Sequence, residues 1–230
     1  MFDRIARRYD FLNHLFSFHI DKIWRCKAVN ELCGLPLDHV LDVATGTADL
    51  AIAIQKQLHP AHVTGVDISE GMMTIGRQKI AKKGLKQQIS LMYGDSEALH
   101  FDDHTFDAVT VAFGVRNFKC PEKGLDEMFR VLKPGGKMVV LEFSIPENRI
   151  FRSVFHFYFF RIIPFVGRLA SKDAHAYAYL PDSVQSFPYG TKFKEMMESC
   201  GFSEVRVKTL SLGIASIYTG KKKGLSLPEK

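Results

Sequence analysis

The sequence predicts an α/β fold built on a doubly wound, mostly parallel sheet. Between residues 40 and 143, short apolar runs typical of buried strands alternate with amphipathic, helix-like segments. The first apolar run ends in a loop of small residues, Ala44-Thr45-Gly46-Thr47-Ala48, and a helical pattern begins directly after it. Asp67 ends the next run, 21 residues after Gly46. A small-residue loop and an acid at neighbouring strand ends indicate a nucleoside-binding site at the carboxyl edge of a parallel sheet.

Five strands are predicted in this stretch, each a short run of apolar residues bounded by Gly, Pro or polar residues. They span Val40–Val43, Val63–Val66, Ile89–Tyr93, Phe106–Phe113 and Lys137–Phe143. The residues Lys133-Pro134-Gly135-Gly136 are expected to make a tight turn into the fifth strand, because proline and glycine favour the dihedral angles of such turns.

Three helices are predicted between these strands from the spacing of their apolar residues. They span Leu50–Leu58, Ser69–Lys83 and Glu122–Leu132. Ser69 is expected to be an N-cap, because a serine hydroxyl accepts a hydrogen bond from the first helical turn. Gly84 is expected to end the same helix, because glycine adopts a left-handed conformation readily.

Further elements are predicted before and after this central stretch of the chain. Residues 1–35 carry apolar residues at helical spacing and are expected to form a helical lid. Late in the chain, a helix stopped by a glycine and two closing strands are predicted at Phe193–Cys200, Val205–Leu210 and Ile214–Tyr218, with Gly201 as the stop.

We therefore expect one domain over residues 1–220. Its cofactor-binding half would be residues 36–145, and residues 146–220 would form the side that holds the acceptor. Residues 221–230 are basic and then polar, and they are expected to form a flexible tail.

Composition limits the classes of protein that are compatible with the chain. The formal net charge is +6 and the pI is near 9.1. This positive charge can attract the protein to an anionic surface, or it can contribute to solubility alone. Four scattered cysteines, without a C-x-x-C pair, argue against a zinc site and favour reduced thiols. No N-terminal apolar region resembles a signal peptide, and charges and a proline interrupt residues 150–170. A cytoplasmic protein is expected, with the inner face of the plasma membrane as a further location.

The glycine pattern indicates which nucleoside cofactor the predicted site would hold. A dinucleotide requires several glycines so that backbone can approach its pyrophosphate. Here Gly46 stands alone between Ala44 and Ala48, and G-x-G-x-x-G is absent. This difference favours a cofactor without a pyrophosphate, and S-adenosylmethionine fits that description.

The order of elements resembles the class I S-adenosylmethionine-dependent methyltransferases. Their first loop follows the pattern acid-x-Gly-x-Gly-x-Gly, which Asp42, Ala44, Gly46 and Ala48 match with two alanines in place of glycines. This resemblance implies a seven-stranded sheet and an S-adenosylmethionine site at the first loop.

Four longer motifs narrow the resemblance to the menaquinone/ubiquinone biosynthesis C-methyltransferases. They are Phe2-Asp3-Arg4-Ile5-Ala6-x-x-Tyr9-Asp10-x-x-Asn13, Trp24-Arg25, Phe113-Gly114-Val115-Arg116-Asn117-Phe118 and Tyr179-Leu180-Pro181-x-Ser183-Val184-x-x-Phe187-Pro188. The resemblance covers the chain to about Gly220 and implies C-methylation of a prenylated hydroquinone. The menaquinone precursor, the 2-methoxy-6-polyprenyl benzoquinol of ubiquinone biosynthesis and an unrelated small molecule remain open as acceptors.

Several residues are candidates for holding the cofactor. Asp42 can attract its ammonium group or bond local backbone, and Gly46 lets backbone approach where a Cβ would collide. The Thr47 hydroxyl can bond the cofactor or act as an N-cap. Asp67 can accept hydrogen bonds from both ribose hydroxyls.

Two further cofactor candidates follow the third predicted strand. The Asp95 carboxylate can accept a hydrogen bond from the adenine amino group, and the Ser96 backbone can contact the ring. The alternative for this pair is a polar turn without a ligand. No metal is expected, because a sulfonium methyl group is already activated.

The acceptor would be attacked as a phenolate, so a cation near its oxygen is expected. Arg116 is the candidate for stabilising that charge and Asn117 for holding the second oxygen, with a plain polar loop as the alternative. The general base stays open among residues of the predicted lid side, which are Tyr9, Asp10, His14 and Tyr179.

Residues 150–170 combine phenylalanines with arginines, including Arg152, Arg161 and Arg168. The phenylalanines could line a groove for a lipid tail or enter a membrane interface, where arginines meet anionic head groups. An ordinary buried helix with surface charges is the competing interpretation. No nucleic-acid motif accompanies the positive charge, and a homodimer is left open.

Three rival functions are compatible with the same predicted scaffold. A methyltransferase of RNA or of a soluble phenol would use the same cofactor. A nicotinamide-dependent oxidoreductase is disfavoured by the missing glycines. A binding module without activity is disfavoured because Asp42, Asp67 and Asp95 are all present.

Overall fold

The computed structural model describes residues 19–162 and 181–224 and contains a seven-stranded sheet. The strands are β1 (His39–Val43), β2 (His62–Asp67), β3 (Ile89–Tyr93), β4 (Phe106–Ala112), β5 (Leu132–Phe143), β6 (Ser203–Leu210) and β7 (Ala215–Lys221). The named helices are α1 (Ile20–Asn30), α2 (Asp49–Leu58), α3 (Glu70–Lys82), α4 (Pro121–Val131), α5 (Arg149–Phe157) and α6 (Thr191–Ser199).

The order of strands across the sheet is β3-β2-β1-β4-β5-β7-β6. Strands β1 to β5 pair in parallel, and β7 pairs antiparallel with both β5 and β6. The chain runs outward from β1 to β3 and then returns to the other side of β1 as β4. A crevice forms where the direction changes in this way, at the carboxyl ends of β1 and β4. The predicted doubly wound, mostly parallel sheet is confirmed.

Alternating side chains of the central strands pack on opposite faces of the sheet. Leu41 and Val43 of β1 belong to a core with α4 and α6, whereas Val40 belongs to a core with α1 and α2. This period of two is the pattern expected for a strand buried on both faces. The two cores fix the positions of the strand ends and therefore of the loops that follow them.

The predicted elements of the sheet agree with the structure to within one or two residues at most ends. Ser69 is the N-cap of α3, where its hydroxyl accepts a hydrogen bond from Met72 N at 3.3 Å. Gly84 follows α3 with φ of 71°, and Gly201 follows α6 with φ of 95°. Both glycines therefore end their helices in the left-handed conformation that the sequence predicted.

The expected turn at residues 133–136 proves to be an irregularity inside a longer strand. Phe106 pairs with Leu132 and Ala108 pairs with Lys137, so the intervening residues loop out of the ladder without ending β5. Gly135 has φ of 83°, which accommodates the excursion. Hydrogen bonds from Gly135 N to Lys222 O at 2.8 Å and from Lys222 N to Gly136 O at 3.1 Å fasten it to the end of the chain.

The first two residues of the predicted tail belong to the folded domain, and residues 225–230 of that tail lie outside the described residues. Lys221 is the last residue of β7, and Lys222 is buried. Lys222 Nζ donates to Phe129 O at 2.6 Å and Arg130 O at 3.1 Å, which satisfies two carbonyls at the end of α4. These contacts hold the first two residues of the predicted tail in the folded domain.

The predicted lid is described only from residue 19 onward. There α1 is anchored by Trp24, whose indole Nε1 donates to Ser211 Oγ at 2.9 Å and whose ring packs against Phe113 and Phe143. The helix thus lies against the ends of β4 and β5. Along the described parts of the chain, none of the helices has the length and apolarity needed to cross a bilayer.

Candidate active site

The strand ends at the switch in sheet order surround a cavity of about 420 Å³. Asp42 near the end of β1, Asp67 at the end of β2 and Asp95 just after β3 all line it. The other predicted site residues on its wall are Gly46, Thr47, Ser96 and Asn117. Arg116 does not line it, and the candidates Tyr9, Asp10, His14 and Tyr179 lie outside the described residues.

The loop between β1 and α2 has an unusual backbone. Ala44, Gly46 and Ala48 have φ values of 51°, 55° and 64°, so every second residue is left-handed. Only glycine adopts this conformation freely, and an L-residue there costs about 1 kcal/mol. A Cβ on Gly46 would meet no protein atom within 4 Å, because this face of the loop borders the cavity. The backbone conformation therefore favours glycine at all three positions, and only Gly46 meets that preference and leaves space for a ligand.

Asp67 holds this loop in place from the neighbouring strand. Its Oδ2 accepts a hydrogen bond from Gly46 N at 2.8 Å, and its Oδ1 accepts one from Ser69 N at 2.8 Å. One carboxylate thereby ties the loop after β1 to the start of α3. Asp67 also lines the cavity, so this carboxylate can contact a ligand bound there.

Asp42 is buried and is held by two hydroxyl groups. Thr45 Oγ1 donates to its Oδ2 at 2.7 Å, and Thr110 Oγ1 of β4 donates to its Oδ1 at 2.8 Å. Burial raises the pKa of Asp42 to about 6, although these hydrogen bonds favour the charged form. A cation that entered the cavity would favour the charged carboxylate further.

Thr47 is not the N-cap of the helix that follows it. That position belongs to Ala48, which gives no side-chain cap. The Thr47 hydroxyl instead accepts a hydrogen bond from Lys79 Nζ at 2.9 Å, and the same ammonium group pairs with Asp49. Ala48, with its left-handed backbone, occupies the N-cap position one residue after Thr47. The N-cap interpretation of Thr47 is therefore wrong.

Asp95 and Ser96 lie on the wall of the cavity beside the edge strand β3. Asp95 Oδ1 accepts a hydrogen bond from Glu97 N at 2.9 Å, which closes a local turn. The Glu97 carboxylate reaches in turn to Cys120 N at 2.9 Å, just before α4. The loop after β3 is therefore braced against the opposite wall, and the Asp95 side chain is exposed toward solvent.

Arg25 on α1 also lines the cavity, a role that the sequence did not assign to it. Its Nη1 pairs with the buried Asp21, its Nη2 lies 4.0 Å from Asp49 Oδ2, and its guanidinium lies 5.8 Å from the centre of the Phe113 ring. Within the described residues, Nη1 is its only donor with a hydrogen-bond partner. Arg25 therefore lines the cavity close to Phe113, just after the end of β4.

Arg116 forms a buried ion pair that the sequence analysis did not foresee. Its side chain is 5% exposed and that of Glu142 is 0% exposed, and Arg116 Nη1 lies 2.7 Å from Glu142 Oε1. The same Nη1 donates to Phe113 O at 2.6 Å, and Phe143 N donates to Glu142 Oε1 at 2.9 Å. A charged residue inside the apolar run of β5 was the available signal, because glutamate is rarely buried without a partner.

The ion pair with Glu142 does not use the Nε atom of the Arg116 side chain. Its Nε is buried and has no hydrogen-bond partner among residues 19–162 and 181–224. The guanidinium lies 5.3 Å from the centre of the Phe143 ring. Asn117, the next residue, lies on the cavity wall together with Gly114 and Phe118. The loop after β4 therefore carries a fixed cation immediately behind the cavity.

The raised pKa of Asp42 predicts a pH dependence of stability in the ligand-free protein. Between the unfolded pKa of 3.8 and about 6, the folded state binds the proton more tightly. Asp42 therefore stabilises the fold at low pH relative to neutral pH, and this contribution is lost as the pH rises through about 6. Between pH values of about 4 and 7, we expect the free energy of unfolding in urea to fall by about 2 kcal/mol more for the native chain than for Asp42→Asn. Parallel pH profiles for the two proteins would contradict the assignment.

Comparison with known proteins gives the chain its family. A sequence model described as the ubiE/COQ5 methyltransferase family matches residues 1–222. A protein of Bacteroides fragilis named demethylmenaquinone methyltransferase is 47% identical over 96% of this chain and 91% of its own length. One of Geobacter sulfurreducens, named ubiquinone/menaquinone biosynthesis C-methyltransferase UbiE, is 48% identical over 96% of this chain and 87% of its own length.

Solved structures agree on the architecture. A structure described as a SAM dependent methyltransferase from Aquifex aeolicus superposes with a TM-score of 0.63 at 19% identity, covering 93% of this chain and 97% of that one. At this identity the similarity concerns the fold, which is the class I methyltransferase fold that the sequence predicted. Taken with the match along nearly its whole length, these findings show that the chain belongs to the ubiE/COQ5 methyltransferase family.

Proposed function

We propose that the chain transfers a methyl group from S-adenosylmethionine to a ring carbon of a prenylated hydroquinone, converting demethylmenaquinol to menaquinol in menaquinone biosynthesis. The observation that carries the cofactor assignment is the placement of Asp42, Asp67 and Asp95 around one cavity at three adjacent strand ends. The acceptor assignment is supported by the name of the Bacteroides fragilis relative. The benzoquinol precursor of ubiquinone is the second candidate, because similarly related proteins carry a name that covers both quinones.

The order of the strands suggests how the cofactor would lie. Asp95 beside β3 would face the adenine, and Asp67 on β2 would face the ribose hydroxyls. The methionine portion would then extend past Gly46 toward the ends of β1 and β4. A dinucleotide fits less well, because a pyrophosphate prefers a helix N-terminus approached through several glycines.

Arg25 would complete the methionine end of this site. That end carries a carboxylate and an ammonium group, and each needs a partner of opposite charge in a partly closed cavity. Asp42 and Asp49 supply negative charge, and Arg25 supplies guanidinium donors other than Nη1, which pairs with Asp21. Arg25 lines the cavity and Lys79 does not, so Arg25 is the candidate for binding the carboxylate.

The acceptor chemistry requires a phenolate. A phenol has a pKa of about 10 in water, and loss of its proton raises the electron density of the adjacent ring carbon. In the proposed reaction a carbon–carbon bond forms to the methyl group, the sulfur–methyl bond breaks, and the ring carbon then loses its proton to restore aromaticity. S-adenosylmethionine supplies the activated methyl group and leaves as S-adenosylhomocysteine.

Arg116 and Asn117 would act on the acceptor oxygens. Glu142 fixes one edge of the Arg116 guanidinium, so the remaining donors are held in place before a substrate arrives. Preorganised donors stabilise a developing anion more than mobile ones, because no reorganisation is needed during the reaction. Asn117, which lines the cavity, would hold the second oxygen by its amide group.

The central test is an assay with methyl-labelled S-adenosylmethionine and short-chain analogues of both quinone precursors. We expect label in the reduced demethylmenaquinone analogue and none in its oxidised form, because only the hydroquinone can become a phenolate. Preferential labelling of the reduced benzoquinol would shift the assignment to ubiquinone biosynthesis. Equal labelling of oxidised and reduced forms would contradict the phenolate mechanism.

The role of Arg25 can be separated from the rest of the cofactor site by a pair of ligands. S-adenosylhomocysteine carries the amino-acid carboxylate, whereas 5′-methylthioadenosine shares the adenosine and lacks it. We expect Arg25→Gln to lower the affinity for S-adenosylhomocysteine, measured by calorimetry, by about 10-fold to 100-fold, because one charge-assisted hydrogen bond is lost. The affinity for 5′-methylthioadenosine should stay nearly unchanged. Equal losses for the two ligands would assign Arg25 to packing alone.

The role of Arg116 is tested with the charge-conserving variant Arg116→Lys, since complete removal would leave Glu142 buried without a partner. We expect kcat to fall about 100-fold, because lysine cannot reproduce the guanidinium geometry, while S-adenosylhomocysteine affinity changes less than about twofold. Unfolding midpoints of both proteins provide the control for folding. A parallel fall in turnover and cofactor affinity would remove Arg116 from the acceptor chemistry.

A further inference from the structure

The helix α5 presents an apolar face to solvent. Ile150, Val154 and Phe157 are 73%, 62% and 64% exposed. Their spacing of four and three residues places them on one side of the helix. Three large apolar side chains at this spacing form a continuous patch, whereas isolated exposed apolar residues are ordinary on protein surfaces.

The opposite side of the same helix is anchored in the protein. Phe155 is buried, and its ring stacks on that of Phe159 at a centroid distance of 4.8 Å. These two rings form a small core with Val184, to which Phe143 of β5 also contributes. The exposed face therefore belongs to a helix with a fixed orientation, and both of its faces are apolar.

The charges of this segment are all of one sign. Arg149, Arg152 and Arg161 are exposed, and residues 148–162 contain no aspartate or glutamate. Arg152 is oriented by hydrogen bonds from its Nε to Pro146 O at 2.8 Å and from its Nη2 to Glu147 O at 3.1 Å. An apolar face flanked by arginines is the surface that a helix lying in an anionic membrane interface presents.

We propose that the outward face of α5, formed by Ile150, Val154 and Phe157 and flanked by Arg149 and Arg161, docks on a bilayer that contains anionic lipids. Helix α5 has nine residues, so it would lie in the interface and not cross it. A two-fold contact between copies of the chain through this face would bring like-charged arginines together. A lipid surface instead pairs them with phosphates. The proposal does not depend on which quinol is methylated.

Vesicle flotation of the 230-residue chain tests the proposal. We expect the native chain to float with vesicles that contain phosphatidylglycerol, more weakly as salt rises, and to float poorly with phosphatidylcholine alone. The triple variant Ile150→Ser/Val154→Ser/Phe157→Ser should lose binding at least about tenfold. Its unfolding midpoint should match that of the native chain, because these side chains are exposed.

A matched control removes exposed apolar residues elsewhere. Ile23→Ser/Met92→Ser changes α1 and the edge strand β3, and it should float like the native chain. Arg149→Gln/Arg161→Gln should reduce the preference for anionic vesicles. Flotation of the triple variant equal to the native level, or no native flotation at low salt, would overturn the proposal. So would a native dimer in light scattering without vesicles that the triple variant converts to a monomer.

Discussion

The shape of the site depends on the hydrogen bond from Gly46 N, in the loop after β1, to the Asp67 carboxylate at the end of β2, at 2.8 Å. It stabilises a loop whose backbone is left-handed at Ala44, Gly46 and Ala48, two of which are alanines that oppose this conformation. The same carboxylate orients the start of α3 through Ser69 N. The cavity is therefore shaped by a group that itself lines it, so loop order and ligand binding should be coupled.

A second constraint is the buried ion pair of Arg116 and Glu142. A buried ion pair is stable only when both charged groups also have good hydrogen-bond geometry and partners. Here Glu142 accepts a hydrogen bond from Phe143 N in addition to its contact with Arg116. Replacement of such a pair by apolar residues is often neutral for stability, so stability alone does not explain it. In the proposed mechanism this fixed guanidinium, whose buried Nε has no hydrogen-bond partner among the described residues, would supply positive charge near the acceptor.

The sequence predicted the sheet, most element boundaries and the acids around the cavity, because these depend on local periodicity and on the rule that parallel strands end at one edge. The irregularity within β5 and the buried Lys222 were missed because both depend on a contact between residues 135–136 and 222, which no local pattern reveals. Arg25 was missed for a similar reason, since α1 is placed at the cavity by Trp24 packing on Phe113 and Phe143. Glu142 had a visible signal, but its partner could be identified only from the fold.

A series of aromatic contacts joins the cavity to the face of α5. Phe113, which lines the cavity, packs on Phe143 at 4.7 Å between ring centres, and Phe143 packs on Phe159 at 5.6 Å, next to Phe155 of α5. Close-packed rings transmit small displacements, because interiors have few voids that could absorb them. The surface that would meet lipid and the loop that would meet the hydroquinone are therefore parts of one packed unit, so docking of α5 would orient the cavity relative to the bilayer.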